Sequence, residues 1–150
     1  MPVASERFEL EQVLKYRTEV ERARKQEFAV AKQNLEHACE RLSQEELLVE
    51  GISKEFCNRQ REMDSIEDIR MYSDFFVRKR GEIKDHKEQV DHLGHVVNDR
   101  REILLDASKD KKVLESLKGK KAKEFKMAMD KKEQEFMDEI AIQKKEEPSQ

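Results

Sequence analysis

Tryptophan is absent from the 150 residues, and seven phenylalanines and two tyrosines supply all the aromatic side chains. Hydrophobic residues make up 36% of the chain and the mean hydropathy is -0.99, which excludes the layered core of an ordinary globular domain of this length. Proline occurs only at Pro2 and Pro148, so nothing between them forces a break in a helix. The glycines at 51, 81, 94 and 119 are scattered singly, which leaves no Gly-rich phosphate loop, and G-x-S-x-G, H-E-x-x-H and C-x-x-C are missing as well. No run of about 18 apolar residues is present to span a membrane, and the start MPVASERFELEQ lacks the apolar stretch of a secretory signal, so a cytoplasmic protein is expected. Cys39 and Cys57 lie 18 residues apart on what reads as one helix. They would be roughly 27 Å apart, too far for a disulfide between them, and are read as small hydrophobes.

What is abundant points to long helices. Charged residues make up 43% of the chain, with 31 Lys and Arg against 34 Asp and Glu, and Glu, Lys, Arg, Gln, Leu and Ala all hold a helix at little cost. High charge with few aromatics also marks disorder, but the net charge is only -3 and the apolar residues are periodic. Leu10, Leu14, Phe28, Ala31, Leu35, Ala38, Leu42, Val49, Ile52 and Phe56 step by threes and fours, with Arg17, Glu21, Arg24 and Glu45 interrupting the same seam. A second seam repeats by sevens through Ile69, Phe76, Ile83, Val90, Val97 and Leu104. The expected fold is all-α, a single antiparallel two-helix coiled coil over residues 1–150. Helix one covers about 5–58 and starts at Ser5 before Glu6 and Glu9; the turn falls at about 59–66, helix two at about 67–145, and the termini are short and disordered. A turn near 62 pairs residues whose numbers add to about 125: Leu42 with Ile83, Leu35 with Val90, Phe28 with Val97. It also leaves the last 25 to 30 residues of helix two without an intramolecular partner. The alternative is a turn nearer residue 74, with the helices paired along their whole length.

In that unpartnered stretch Phe125, Met129, Phe136 and Ile140 persist, and Leu114, Phe125 and Phe136 are spaced by eleven, straighter than a heptad. An isolated helix is marginal in water, and each such side chain gains about 1.5 to 3 kcal/mol from burial, so a partner protein is implied. Candidates for other chemistry are few. His92 and His95, at i and i+3, lack a third ligand, and Glu45 with Glu46 reads as solvated surface, so no metal, cofactor or catalytic residue is expected. Residues 109–132 hold ten lysines against four acids, but no arginine and only Phe125 as an aromatic. This stretch suits a solvated face or an acidic protein better than nucleic acid. Tyr72, Phe75 and Phe76 point in adjacent helical directions, so one seam cannot bury all three and one ring is expected to face outward as part of a docking patch.

Two stretches carry a family resemblance. FELEQVLKYRTEVERARKQEFAVA, from Phe8, resembles the opening of the flagellar FliJ family of bacterial type III export proteins: an aromatic, a leucine and a VL-x-YR step before an Ala-rich charged helix. KKVLESLKGKKAKEF followed by EQEFMDEIA resembles that family's Lys-rich LE-x-LK stretch and its closing pattern, so the likeness spans nearly the full length. The resemblance implies a non-enzymatic stalk of the export apparatus in flagellum biogenesis, motility and chemotaxis. Its fold would be similar to the gamma-subunit shaft of rotary ATP synthases, with no cofactor. Its partners would be the hexameric flagellar export ATPase, in whose pore it sits, the cytoplasmic domain of the export gate membrane protein, and export chaperones. It would be a monomer, cytoplasmic and held at the inner membrane through these partners. By the family pattern, ATPase binding falls on Leu10, Leu14, Phe125, Met129, Phe136, Met137 and Ile140, and gate binding on Leu48, Ile52, Phe75, Lys79 and His86. Lys79 departs from the apolar residue of some relatives. The stalk of a virulence type III secretion system and a generic dimeric coiled-coil scaffold remain as alternatives.

Overall fold

Helix ends are set by local capping. The computed structural model describes residues 7–62 and 65–146, which form two helices, α1 Glu11–Arg59 and α2 Ile66–Glu146. Ser5 and Glu6, on which the expected start of helix one rests, lie outside the described residues, as do Met63 and Asp64 of the expected turn. Before α1 the Glu11 N–H donates to the Phe8 carbonyl at 3.1 Å. At the other end of α1 the Glu62 N–H donates to the Arg59 carbonyl at 2.9 Å, which satisfies one of the terminal acceptors. Ser65 caps α2: its Oγ accepts from the Glu67 N–H at 3.2 Å, and Glu67 and Asp68 place negative charge at the positive end of the helix dipole. Residue 74 lies inside α2, well past the reversal.

The helices contribute to two compact units, one of Met1–Arg22 with Asp106–Gln150 and one of Ala23–Leu105. In each the two helical segments run antiparallel. The first unit buries Leu14 and Ala107, and joins the helices through Arg17 to Asp110 (3.3 Å), Glu21 to Lys111 (3.3 Å) and Glu11 to Lys118 (2.8 Å). The second unit buries Ala31, Tyr72 and Val97. Its cross-helix contacts are Glu27 with Arg100 at 3.8 Å, Glu45 with His86 at 2.7 Å and Glu46 with Lys87 at 3.8 Å. Next to the connection the Tyr72 ring lies 5.2 Å from Phe56, Phe76 meets Phe56 edge-on at 6.0 Å, and the Arg59 guanidinium donates to the Tyr72 hydroxyl at 3.2 Å. Phe75 is half-buried rather than outward, with its ring 5.7 Å from that of Phe76 and the Arg78 guanidinium over it.

The register differs from the sequence expectation, whose pairs add to about 125: Arg17 with Asp110 and Glu21 with Lys111 in the first unit add to 127 and 132, and Glu27 with Arg100, Glu45 with His86 and Phe56 with Phe76 in the second add to 127, 131 and 132. A seven-residue repeat of apolar side chains fits itself equally well one heptad along, so the charged seam positions decide. The expected register sets Arg24 across from Arg100 in the second unit, and Lys111 across from Leu14 in the first. The observed one gives Lys111 a carboxylate and gives Glu45 the His86 imidazole.

These arrangements have measurable consequences. Under oxidation, Glu45→Cys with His86→Cys, whose side chains meet across the helices, should form an intramolecular disulfide in higher yield than Leu42→Cys with Ile83→Cys, read by mobility on non-reducing gels. Ser65→Ala should lower stability to urea by about 1 kcal/mol through loss of the cap. Glu45 and His86 have half-buried side chains, and their facing atoms, Oε2 and Nδ1, are shielded from solvent with no partner but each other. Either single alanine should destabilise by about 1 to 2 kcal/mol, while Glu45→Leu with His86→Leu should recover most of that loss in thermal melts, because burying no charge costs less than burying one alone.

Candidate functional site

The end of α2 outruns α1. α1 begins at Glu11, whose carboxylate meets Lys118, and residues 7–10 continue along α2 as far as Phe125. Between them lies a cleft of about 490 Å³ lined by Phe8, Leu10, Leu117, Ala122 and Phe125 and edged by Lys121. Phe125 is thus half-buried beside residues 7–10, and among the described residues those from 126 to 146 have no α1 neighbour. Leu14 is buried within the first unit, and Leu10 is 38% exposed.

From Phe125 on, four apolar side chains form two eleven-residue rows, Phe125 to Phe136 and Met129 to Ile140. Eleven residues make just over three turns, so each row drifts only about 20° per step and the four residues share one face some 60° wide. Phe136 is 61% exposed and Met129 and Ile140 are half-buried. Met137 is 60% exposed but stands about 100° around the helix from Phe136, off that face. The face continues the direction of the inter-helix seam, which passes through Lys111, Leu114 and Leu117.

The five residues expected near the connection divide between the seam and its flank. Leu48 is 48% exposed, while Ile52 and Phe75 are half-buried. Lys79 holds Glu82 at 2.9 Å, and that hydrogen bond keeps the Glu82 carboxyl below the usual carboxylate range. His86 is engaged with Glu45. A groove of about 820 Å³ on the second unit is lined by none of these five; Val49, Phe56, Phe76 and Ile83 form its floor, and Arg80 and Lys84 its rim. The signal for it in the sequence is Arg80, Lys84 and Lys87, cations at i, i+4 and i+7 that share a helix face beside the apolar seam.

The hydrogen bond from Lys111 to Glu21 pushes the lysine ammonium upward from its ordinary value. Because the folded value is raised, that pair contributes below the unfolded lysine pKa of about 10.4 and is lost only as pH rises beyond it. His92, His95, Cys39 and Cys57 are exposed, and among the described residues no group of three or more His, Cys, Asp or Glu is placed to hold a metal ion. No described helix is long and apolar enough to cross a membrane.

No curated protein and no solved structure gives a match to the chain. The family model described as the flagellar FliJ protein matches residues 6–146, which takes in both helices, the seam between them and the apolar tail. With that span covered, the chain belongs to the FliJ family of flagellar export proteins.

Proposed function

We propose that the chain is a stalk that couples the hexameric flagellar export ATPase to the export gate. The observation that carries this is the apolar face of α2 at Phe136 and Ile140, which continues beyond Phe125, the last residue of α2 lining the cleft with residues 7–10 among the described residues. Four apolar side chains on one preformed helical face offer a partner its burial energy with little ordering cost. In this reading Phe125, Met129, Phe136 and Ile140, with Leu10 nearby, engage the ATPase and promote assembly of its ring; Met137 contacts a different subunit face or remains at the margin. The gate's cytoplasmic domain docks near the connection, on Leu48, Ile52 and Phe75, with Lys79 and His86 holding that surface in register. Export chaperones use the same molecule. The stalk is a cytoplasmic monomer, held at the inner membrane through its partners, and contributes no catalytic group or cofactor.

The family match supports a flagellar role over that of a virulence secretion system. A generic dimeric scaffold is disfavoured because the seam of each unit is already occupied by the chain's own second helix.

Phe136→Asp with Ile140→Asp should remove stimulation of the export ATPase by at least tenfold, the loss expected from about 2 kcal/mol of burial, while the helical circular dichroism signal stays within error of the unmodified chain. Undiminished stimulation in the double variant would refute the assignment of this face.

A further inference from the structure

The face of α2 opposite the seam carries a different pattern. Lys109, Lys120 and Lys131 are spaced by eleven residues, as are Lys112 and Lys123 between them. At 3.6 residues per turn the five fall within about 100° of one another, centred almost diametrically across the helix from Lys111, Phe125 and Phe136. All five are exposed, and among the described residues none has an ion-pair partner, unlike Lys111 and Lys118 on the seam side. The row extends for about 33 Å with about 16 Å between repeats, and it stays nearly straight where a heptad pattern would wind around the helix. Val113 and Met127, 67% and 63% exposed, stand among the lysines on the same face. Glu124 and Asp130 border it, leaving a clear excess of positive charge.

We infer that this face docks on the surface of a bilayer containing acidic phospholipids. A membrane is flat on this scale and its charge is diffuse, so a straight file of ammonium groups meets it at every repeat without needing a matched partner for each. Lysine suits such a surface as a flexible point charge, whereas specific recognition of carboxylates or phosphates favours the arginine fork, and no arginine follows Arg101. A protein interface would need an anchor of the Trp, Tyr or Arg type, and this face has none. Val113 and Met127 add shallow apolar contact with the headgroup boundary. The inference concerns a face about 180° from the apolar one and does not rest on the function proposed above.

The test uses the full chain alone in sedimentation with vesicles of phosphatidylcholine, with and without one third phosphatidylglycerol. Binding should require the acidic lipid and should fall away as salt rises from about 0.05 to about 0.5 M, where screening shortens to a few ångströms. Lys112→Gln with Lys120→Gln and Lys123→Gln should lower the partition coefficient roughly a hundredfold at low salt, since each lysine near such a surface is worth about a fivefold factor. Lys121→Gln with Lys126→Gln and Lys132→Gln makes the same change in net charge off the row and should cost less than a tenth as much. Circular dichroism of both triple variants checks that the helix is intact. Absence of binding to the acidic vesicles, equal losses in the two triple variants, or tighter retention on duplex DNA than on the vesicles would each overturn the inference.

Discussion

A seam between only two helices cannot enclose a side chain on all sides, and this sets the terms for everything else in the molecule. Among the described residues none of the large apolar side chains is fully buried, and Leu14, Ala31, Tyr72, Val97 and Ala107, the most covered, still retain some contact with solvent. Apolar burial therefore comes in partial increments, each worth a fraction of the 1.5 to 3 kcal/mol that full burial gives. Under those conditions a charged residue at a seam position is not prohibitive, because its head group reaches solvent or an opposite charge at the edge. It does become selective. Glu21, Glu45, Arg24 and Arg100 contribute little attraction, but an alignment that opposes like charges is excluded, and in a repeat of period seven that exclusion is what separates neighbouring registers.

The same constraint limits what the amino-acid sequence can show. The helical class, the seam residues of both helices and the reversal near residue 62 follow from local features: heptad spacing, the polar cluster from Asn58 to Asp68, and the absence of proline between Pro2 and Pro148. Register does not, because Leu42 is as well served by Ile83 as by Val90 and the apolar pattern holds no preference. The deciding information lies in pairs, Glu21 with Lys111 and Glu45 with His86, and a partner's identity is invisible to any one-dimensional count. A systematic comparison of the two alignments for opposed charges would have found it.

At the candidate site the legible part was again the local part. The eleven-residue step from Leu114 through Phe125 to Phe136 marks a face that leaves the coiled-coil path, and that much is fixed by spacing. The division of labour within the face was not. Phe125 is met by Phe8 and Leu10 across a cleft because residues 7–10 lie beside α2 ahead of the start of α1, while Leu14, inside α1, is buried. His86 and Lys79 stand at half-buried positions where a bonded carboxylate takes up their polar atoms, a consequence of register that no motif announces.

The last turns of α2 raise the question of how a helix persists there with one face apolar and, among the described residues, no second helix beside it. Composition is one source: residues 126–146 hold Lys, Glu, Gln, Met and Ala, which cost little conformational entropy in a helix. Lys144 and Lys145 set positive charge at the negative end of the dipole, and the Gln134 amide donates to the Asp138 carboxylate at 3.2 Å, four residues on. Continuity is the other source, since a helix already nucleated over sixty residues extends at the favourable cost of propagation rather than the unfavourable one of initiation. A partner that covers Phe136 and Ile140 then meets a surface ordered in advance, so the free energy of burial is realised as binding instead of being consumed in folding the tail.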